Sequence, residues 1–182
     1  MRKLHLVTIL TAGVAVVLAA GARGSAIAEH IVGPGDVQTK SSPAPTAVDA
    51  CTLLTKEEAV SAVGEALDQA KSSGPFPVSM GGIDTAVTGC AYESPKSVHG
   101  IKLTVHRVPP DKAARFKQFY QGVCARKECV SGVGDMAWWY SGQHGELQVL
   151  KNATLLIIKL SRSGDGTEAL QTVAKKALGR LP

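Results

Sequence analysis

The sequence predicts an α+β domain: an antiparallel sheet with three helices in the order helix, strands, helix, strands, helix, held by two disulfides. Three observations predict this class. Apolar residues recur at helical spacing in three separate segments of the chain. The segments between them alternate polar and apolar residues, which is typical of half-buried strands. Four cysteines supply the covalent staples from which a small core benefits.

The first helix is predicted from Lys56 to Lys71. Thr55 and Glu58 have the spacing of a capping box, in which each side chain accepts a hydrogen bond from the other residue's backbone amide. Small apolar residues then recur at helical spacing as far as Ala70. The following segment, Gly74 to Thr88, is rich in Gly and Pro. An irregular edge strand around Val78 or from Ile83 to Val87 is the favoured interpretation, and a functional or mobile loop that forms a lid or rim is the alternative.

The rest of the domain reads as strands and two further helices. Strands are predicted from Gly89 to Ser94 and around Leu103, and a Pro-Pro pair separates them from the second helix. The run Leu155 to Ile158 is apolar at every position, so we expect its strand to be central or covered on both faces. Asp165 or Thr167 caps the last helix. The predicted bounds are Asp111 to Val123 for the second helix, and Met136 to Ser141, Glu146 to Lys151 and Thr154 to Ser161 for an antiparallel meander. We expect the helices to cover one face of the sheet.

The first 28 residues have the three parts of a secretory signal peptide. A basic head is followed by an apolar run and by Ala26-Ile27-Ala28, a small-residue cleavage site. The alternatives are an uncleaved membrane anchor and cleavage at Ala20-Gly21-Ala22. Residues 29–47 are rich in Gly, Pro, Ser and Thr, which predicts a flexible linker, and residues 48–182 form a single domain. The protein is therefore expected to be secreted or periplasmic, and no lipid anchor is expected because the first Cys, Cys51, lies far downstream of the apolar run.

The basic charge of the chain lies largely in this leader. The formal net charge is +5, but three of the 20 basic residues lie in residues 1–28, which contain no acid. Residues 29–182 therefore carry 17 basic and 15 acidic residues, a net charge of +2. The clearest basic cluster falls on the last predicted helix near its C-terminus, where cations are favoured. This distribution argues against a nucleic-acid partner.

The four cysteines allow three pairings. Cys51 and Cys90 can join the start of the first helix to a strand, and Cys124 and Cys129 can close a short loop after the second helix. We predict these two disulfides, which fit the oxidising compartment of an exported protein. The spacing of the second pair differs from the Cys-x-x-Cys of zinc and thioredoxin-like sites, and no His lies near it in the sequence. No metal site is predicted.

An aromatic cluster is the main candidate for a binding site. Trp138, Trp139 and Tyr140 are consecutive in a chain that has only two Trp, three Tyr and three Phe. Neighbouring residues of a strand point to opposite faces, so we expect one indole in the core and the other exposed or lining a pocket. Together with Phe76 they are the predicted ligand-binding residues, in a partly apolar groove rimmed by the segment from Gly74 to Thr88. The alternative is that both indoles are covered.

Catalytic motifs are weak. Gly132-x-Gly134-x-x-Ala137 formally fits a dinucleotide-binding motif, but it precedes a predicted strand instead of a helix. The hydrolase motifs Gly-x-Ser-x-Gly, Ser-x-x-Lys and His-Glu-x-x-His do not occur in the sequence. The residues that can converge into a triad are His99, His106, His144, Ser131 and Asp135. Scattered histidines are typical of polar surfaces, so we predict no catalytic residue and no cofactor.

Four short features carry a resemblance to a known class of domains. They are Cys51-Thr52-Leu53-Leu54-Thr55 opening a helix, Gly89-Cys90-Ala91-Tyr92 on a strand, Gly132-Val133-Gly134-Asp135-Met136-Ala137 before an aromatic strand, and a final strand plus helix. This pattern resembles exported bacterial domains of unknown function that are often borne on lipoproteins, although their frequent lipobox cysteine is absent. The plan is also similar to the extracellular sensor domains of some bacterial serine/threonine kinases. The resemblance spans most of residues 49–181 and implies a non-catalytic binding or sensing module.

We therefore expect an extracytoplasmic, non-catalytic binding or sensing module of the bacterial cell envelope. The alternative is a secreted or periplasmic hydrolase. The expected partner is a small apolar ligand or an envelope protein, with no nucleic acid and no stable membrane anchor. The domain is expected to be a monomer.

Overall fold

The computed structural model describes residues 45–125, 128–140 and 145–182. The predicted signal peptide and residues 29–44 of the predicted linker lie outside the described residues. The helices are α1 (Ala50–Leu53), α2 (Lys56–Val63), α3 (Ala113–Cys124, preceded by a 3₁₀ turn, Pro110–Lys112) and α4 (Thr167–Gly179). The strands are β1 (Lys71–Met80), β2 (Ile83–Glu93), β3 (Gly100–Arg107), β4 (Met136–Tyr140), β5 (Glu146–Lys151) and β6 (Thr154–Ser161).

The six strands form one antiparallel sheet in the order β1-β2-β3-β6-β5-β4. This arrangement confirms the α+β class, and the described residues form four α-helices in place of the three predicted. The extra helix, α1, is a single turn whose first amides are capped by Asp49, since the Cys51 amide donates to its Oδ1 at 2.9 Å.

The capping box of α2 forms as the sequence predicts, but the helix ends early. The Glu58 amide donates to Thr55 Oγ1 at 3.3 Å, and the Thr55 amide donates to Glu58 Oε2 at 3.2 Å. The predicted end at Lys71 is wrong because Gly64 adopts a left-handed conformation with φ of 87° and closes the helix by donating to the carbonyl of Val60.

The segment from Gly74 to Thr88 is not a loop. It forms most of β1 and the first half of β2, which are joined by a tight turn at Gly81 and Gly82, both with positive φ. The pairing register of β1 shifts between Ser73 and Phe76. The predicted irregular edge strand around Val78 is confirmed as part of β1, where proline is tolerated because its missing N–H has no partner to lose. Ile83 to Val87 lie in β2, which is inside the sheet.

The meander predicted for the second half of the domain is confirmed. Strands β5 and β6 have the predicted bounds, and β4 begins at Met136 as predicted, while its predicted last residue, Ser141, lies outside the described residues. β6 lies between β3 and β5, where it buries Leu155 on one face and Leu156 on the other. The last helix begins at Thr167, whose amide and hydroxyl both donate to the Asp165 carboxylate.

The sheet separates two hydrophobic clusters. On the first face, side chains such as Leu103, Leu156 and Leu147 pack under α1, α2 and α4. On the second face, Trp138 and Leu155 pack with Phe116 of α3. The expectation that the helices cover one face is therefore wrong, because the apolar stripe of α3 is used on the opposite side of the sheet.

Both predicted disulfides are present. Cys51 is bonded to Cys90, which ties α1 to β2, and Cys124 is bonded to Cys129 just after α3. The second bond holds residues 128–130 beside the edge of β4, where the Val130 amide donates to the carbonyl of Ala137 at 2.8 Å. Two disulfides are typical of proteins from oxidising, extracytoplasmic compartments.

Candidate functional site

The aromatic cluster divides between the two faces of the sheet, as strand alternation requires. Trp138 is completely buried on the second face and stacks on Tyr120, with ring centroids 4.9 Å apart. Burial raises the pKa of Tyr120 to about 12, and its hydroxyl lies against the sulfur of Met80. The indole nitrogen of Trp138 has no hydrogen-bond partner among the described residues. Trp138 is therefore a core residue of the second face.

Trp139 points to the first face and is partly buried. It lines a small cavity of about 180 Å³ together with Leu160, Leu170 and the start of α4. Tyr140, the last residue of β4, is half exposed. One indole is thus in the core and the other lines a pocket, and this pocket is too small for most organic ligands.

Phe76 is not near these residues. It belongs to β1, at one edge of the sheet, and the tryptophans belong to β4, at the opposite edge. The segment from Gly74 to Thr88 therefore cannot rim a groove that contains Trp138, Trp139 or Tyr140. The structure does not bring the four predicted residues into one site, and only Phe76 lies beside a large cavity.

That cavity has a volume of about 690 Å³ and lies along β1 and the start of α3. Phe76 borders the cavity and is 45% exposed, although phenylalanine side chains are usually buried. The apolar lining comes from Pro45, Ala47, Pro75, Phe76, Pro77, Ile83, Ala86 and Pro109. This size and this mainly apolar lining are those of a small-molecule site.

The polar lining of the edge cavity is mainly basic. Lys112 and Arg115 line it beside a single acid, Asp84. Lys112 forms an ion pair with Asp111, 3.0 Å between Nζ and Oδ2. Arg115 forms no hydrogen bond or ion pair with another residue in the part of the chain that the structure describes. The cavity thus joins a large apolar surface to an unpaired guanidinium.

Thr85 connects this lining to the interior of the second face. Its hydroxyl donates to the carbonyl of Val78 at 2.9 Å and lies 3.2 Å from Nδ1 of His106. His106 is only 5% exposed, and burial lowers the pKa of its imidazole. A neutral histidine therefore supports the floor of the cavity at neutral pH.

The four described residues considered for a triad, His99, His106, Ser131 and Asp135, form no hydrogen bonds with one another. His106 is buried beside Thr85, whereas Asp135 lies before β4 and accepts hydrogen bonds from Lys151 and from the Asn152 amide. These two hydrogen bonds lower the pKa of Asp135, and the bond from the Asn152 amide contributes most. His144 lies outside the described residues. His99 instead contacts Glu65 and Ser163, which the sequence did not single out.

Comparisons with known proteins add no relative. No protein-family model matches the sequence, and no curated protein or solved structure matches it at a significant level.

Within residues 45–125, 128–140 and 145–182, no three His, Cys, Asp or Glu side chains are placed to hold a metal ion. The same residues contain no helix with the length and apolar character needed to cross a membrane.

Sequence reasoning missed most of the cavity lining. Arg115 and Lys112 looked like ordinary exposed residues of an amphipathic helix, and Ile83 looked like part of a strand. The one available signal was the Pro-Phe-Pro run at residues 75–77, because a large aromatic between two prolines is neither a good core strand nor a typical turn.

Proposed function

We propose that this domain is an extracytoplasmic module that binds, without catalysis at that site, a ligand in the edge cavity beside Phe76. The observation that carries the proposal is the cavity of about 690 Å³ with a mainly apolar lining and an exposed aromatic ring. Exposed aromatic rings that line concave surfaces are common in ligand sites, because they provide a large apolar contact at a small entropic cost.

The charges of the lining specify the ligand class. Of the charged side chains that line the cavity, Lys112 is paired with Asp111 and Asp84 is acidic, which leaves Arg115 as the group for an anionic ligand. Arg115 has no partner among the described residues, so a carboxylate or phosphate can bind it without first breaking an ion pair. The proposed ligand is therefore a small amphiphile with an apolar body and one acidic group, such as a medium-chain fatty acid.

Three further observations support the cellular setting. The leader has the composition of a signal peptide, the two disulfides fit an oxidising compartment, and the sequence resembles exported bacterial domains and extracellular sensor domains. A binding module in that setting delivers, stores or senses its ligand outside the cytoplasm.

Titration calorimetry with dodecanoate tests this proposal. We expect dodecanoate to bind, and we expect Phe76→Ala to weaken its binding about tenfold or more because an apolar contact is lost. Arg115→Gln should weaken the binding of dodecanoate about tenfold and leave the binding of dodecanol, which lacks the charge, unchanged.

Two matched variants control for general effects. Phe119→Ala removes a ring that is 47% exposed but does not line the cavity, and Lys117→Gln removes a charge from the same helix as Arg115. Both should bind dodecanoate like the parent protein. Absence of binding by the parent, or equal loss in the two phenylalanine variants, contradicts the proposal.

A further inference from the structure

Three chain segments meet at one end of the sheet, away from the edge cavity. The segments are the residue after the C-cap of α2, the turn before β3 and the residues after β6. β3 and β6 are paired, with Gly100 opposite Ser161, so the start of one strand lies beside the end of the other. This pairing brings His99 and Ser163 together, and the left-handed turn at Gly64 directs Glu65 towards them.

The three side chains form a chain of polar contacts. Nδ1 of His99 lies 2.9 Å from Oε1 of Glu65, and Nε2 of the same ring lies 3.4 Å from Oγ of Ser163. The two ring nitrogens thus face an acid and a hydroxyl, the arrangement in which a carboxylate orients an imidazole that can accept a serine proton. A distance of 3.4 Å is at the loose end of such contacts, which often tighten only when substrate binds.

Ser97, which lies outside the group formed by Ser163, His99 and Glu65, holds both Glu65 and His99 in place. Ser97 donates from its hydroxyl to Glu65 and accepts at the same oxygen from the His99 amide at 3.0 Å. The Ser97 hydroxyl and then the His99 ring lower the pKa of Glu65, so its side chain is a carboxylate at neutral pH. Glu65 and His99 are both about one-third exposed, which leaves the site open to solutes.

The residue after Ser163 supplies a backbone donor. Gly164 has φ of 79°, and the space where a side chain would lie is empty to at least 4 Å. Its amide makes no hydrogen bond to any described residue. The amide that follows a nucleophilic serine is a common donor to the oxyanion of an acyl-transfer intermediate.

We propose that Ser163, His99 and Glu65 hydrolyse small, accessible carboxylic esters, an activity separate from ligand binding in the edge cavity. Ser163 Oγ attacks the ester carbonyl carbon, its proton passes to His99 Nε2, and the resulting oxyanion faces the Gly164 amide. The bond to the alcohol oxygen then breaks, and the alcohol leaves with the proton from His99. Water then attacks the acyl carbon while His99 Nε2 takes its proton, the bond between that carbon and Ser163 Oγ breaks, and His99 returns the proton to Ser163 Oγ as the acid leaves. Glu65 is a positioning residue.

The substrate class follows from exposure. Ser163 is exposed at the surface, so no enclosed pocket selects a long acyl chain or a bulky alcohol. Short acyl esters with good leaving groups need least help from binding, because their reaction barrier is low. p-Nitrophenyl acetate is therefore the appropriate probe.

The experiment combines kinetics with active-site labelling. We expect Ser163→Ala and His99→Gln each to lower the protein-dependent hydrolysis of p-nitrophenyl acetate about 100-fold or more. Glu65→Gln should lower kcat about tenfold and leave KM unchanged while its unfolding curve matches that of the parent, so that the lower kcat does not reflect a smaller folded fraction. A fluorophosphonate probe should label Ser163, as located by peptide mapping, and labelling should be lost in His99→Gln.

The control is Ser131→Ala, which removes an exposed serine hydroxyl outside this group. It should hydrolyse the ester and take up the probe like the parent protein. The proposal is overturned if Ser163→Ala keeps the parent rate while its unfolding curve matches the parent, or if the probe labels other residues and leaves Ser163 unmodified. Neither result affects the dodecanoate measurements.

Discussion

The two faces of the sheet are covered to different extents. Three helices and the Cys51–Cys90 disulfide enclose the first face, whereas α3 is the one described helix on the second face and covers one end of it. At the other end of the second face Lys102 and Lys159 lie opposite each other and exposed, and Lys159 pairs with Glu146 at 2.9 Å. The first face, which is closely covered, therefore provides most of the core. Helix α3 leaves room on the second face beside β1 for the large cavity.

The largest expected difference between the faces concerns the adjacent tryptophans. Trp138→Ala removes a fully buried ring from the second face and should lower the free energy of unfolding by about 4 kcal/mol. Trp139→Ala removes a partly buried ring from the first face and should cost about 1 to 2 kcal/mol. Urea unfolding monitored by circular dichroism measures both values, and equal losses would show that the two indoles are covered alike.

An intermediate effect is expected from the ion cluster at the rim of the first face. Arg180 binds Glu58 with two nitrogens at 2.7 Å and also donates to the Leu53 carbonyl. The Arg180 hydrogen bonds are the largest cause that lowers the pKa of Glu58, from 4.5 to about 2. The contribution of the Glu58 carboxylate to the free energy of unfolding is therefore complete above pH 4.5 and is lost as the pH falls towards 2.

Glu58→Gln tests this cluster. The variant should lose about 2 kcal/mol at neutral pH, allowing for solvent screening of the partly exposed Arg180, and its stability should vary less between pH 4.5 and 2. Unfolding curves across that range provide the measurement. A parent protein with the same slope as the variant would show that the cluster has no role in acid stability.

The smallest effect is expected on the second face, from His106. Burial lowers the pKa of this imidazole below its ordinary 6.5, so the unfolded chain takes up a proton before the folded protein does. Stability is therefore complete above pH 6.5 and declines as the pH falls below it. His106→Gln should flatten this decline and leave the pH dependence of stability between pH 4.5 and 2, which Glu58 causes, unchanged. If the parent is equally stable at pH 7 and pH 5.5, the imidazole is not desolvated as described.

Local signals predicted much of the fold. The α2 capping box needs only Thr55 and Glu58, three residues apart, and the bounds of β5 and β6 follow from short turns on either side. Both disulfides were also predicted from spacing and element ends. Each of these features depends on neighbours in the sequence or on a small number of discrete pairings.

Non-local features were not predictable in this way. The apolar stripe of α3 predicts that the helix is buried on one side, but it does not specify which face of the sheet it covers. The cavity depends on that choice, because Lys112 and Arg115 reach the β1 edge only from the second face. The contact of Glu65 with His99 and Ser163 likewise depends on the pairing of β3 with β6, which joins residues far apart in the chain.

Both outer strands of the sheet are protected from edge-to-edge aggregation, by different means. On β1, Pro75 and Pro77 interrupt the row of main-chain donors that another strand would need. On β4, residues 128–130 occupy part of the free edge, and the Cys124–Cys129 bond keeps them there. The strands that the structure describes therefore offer no long, uninterrupted template for a further strand. A domain built in this way can reach high concentration without polymerising through its own backbone.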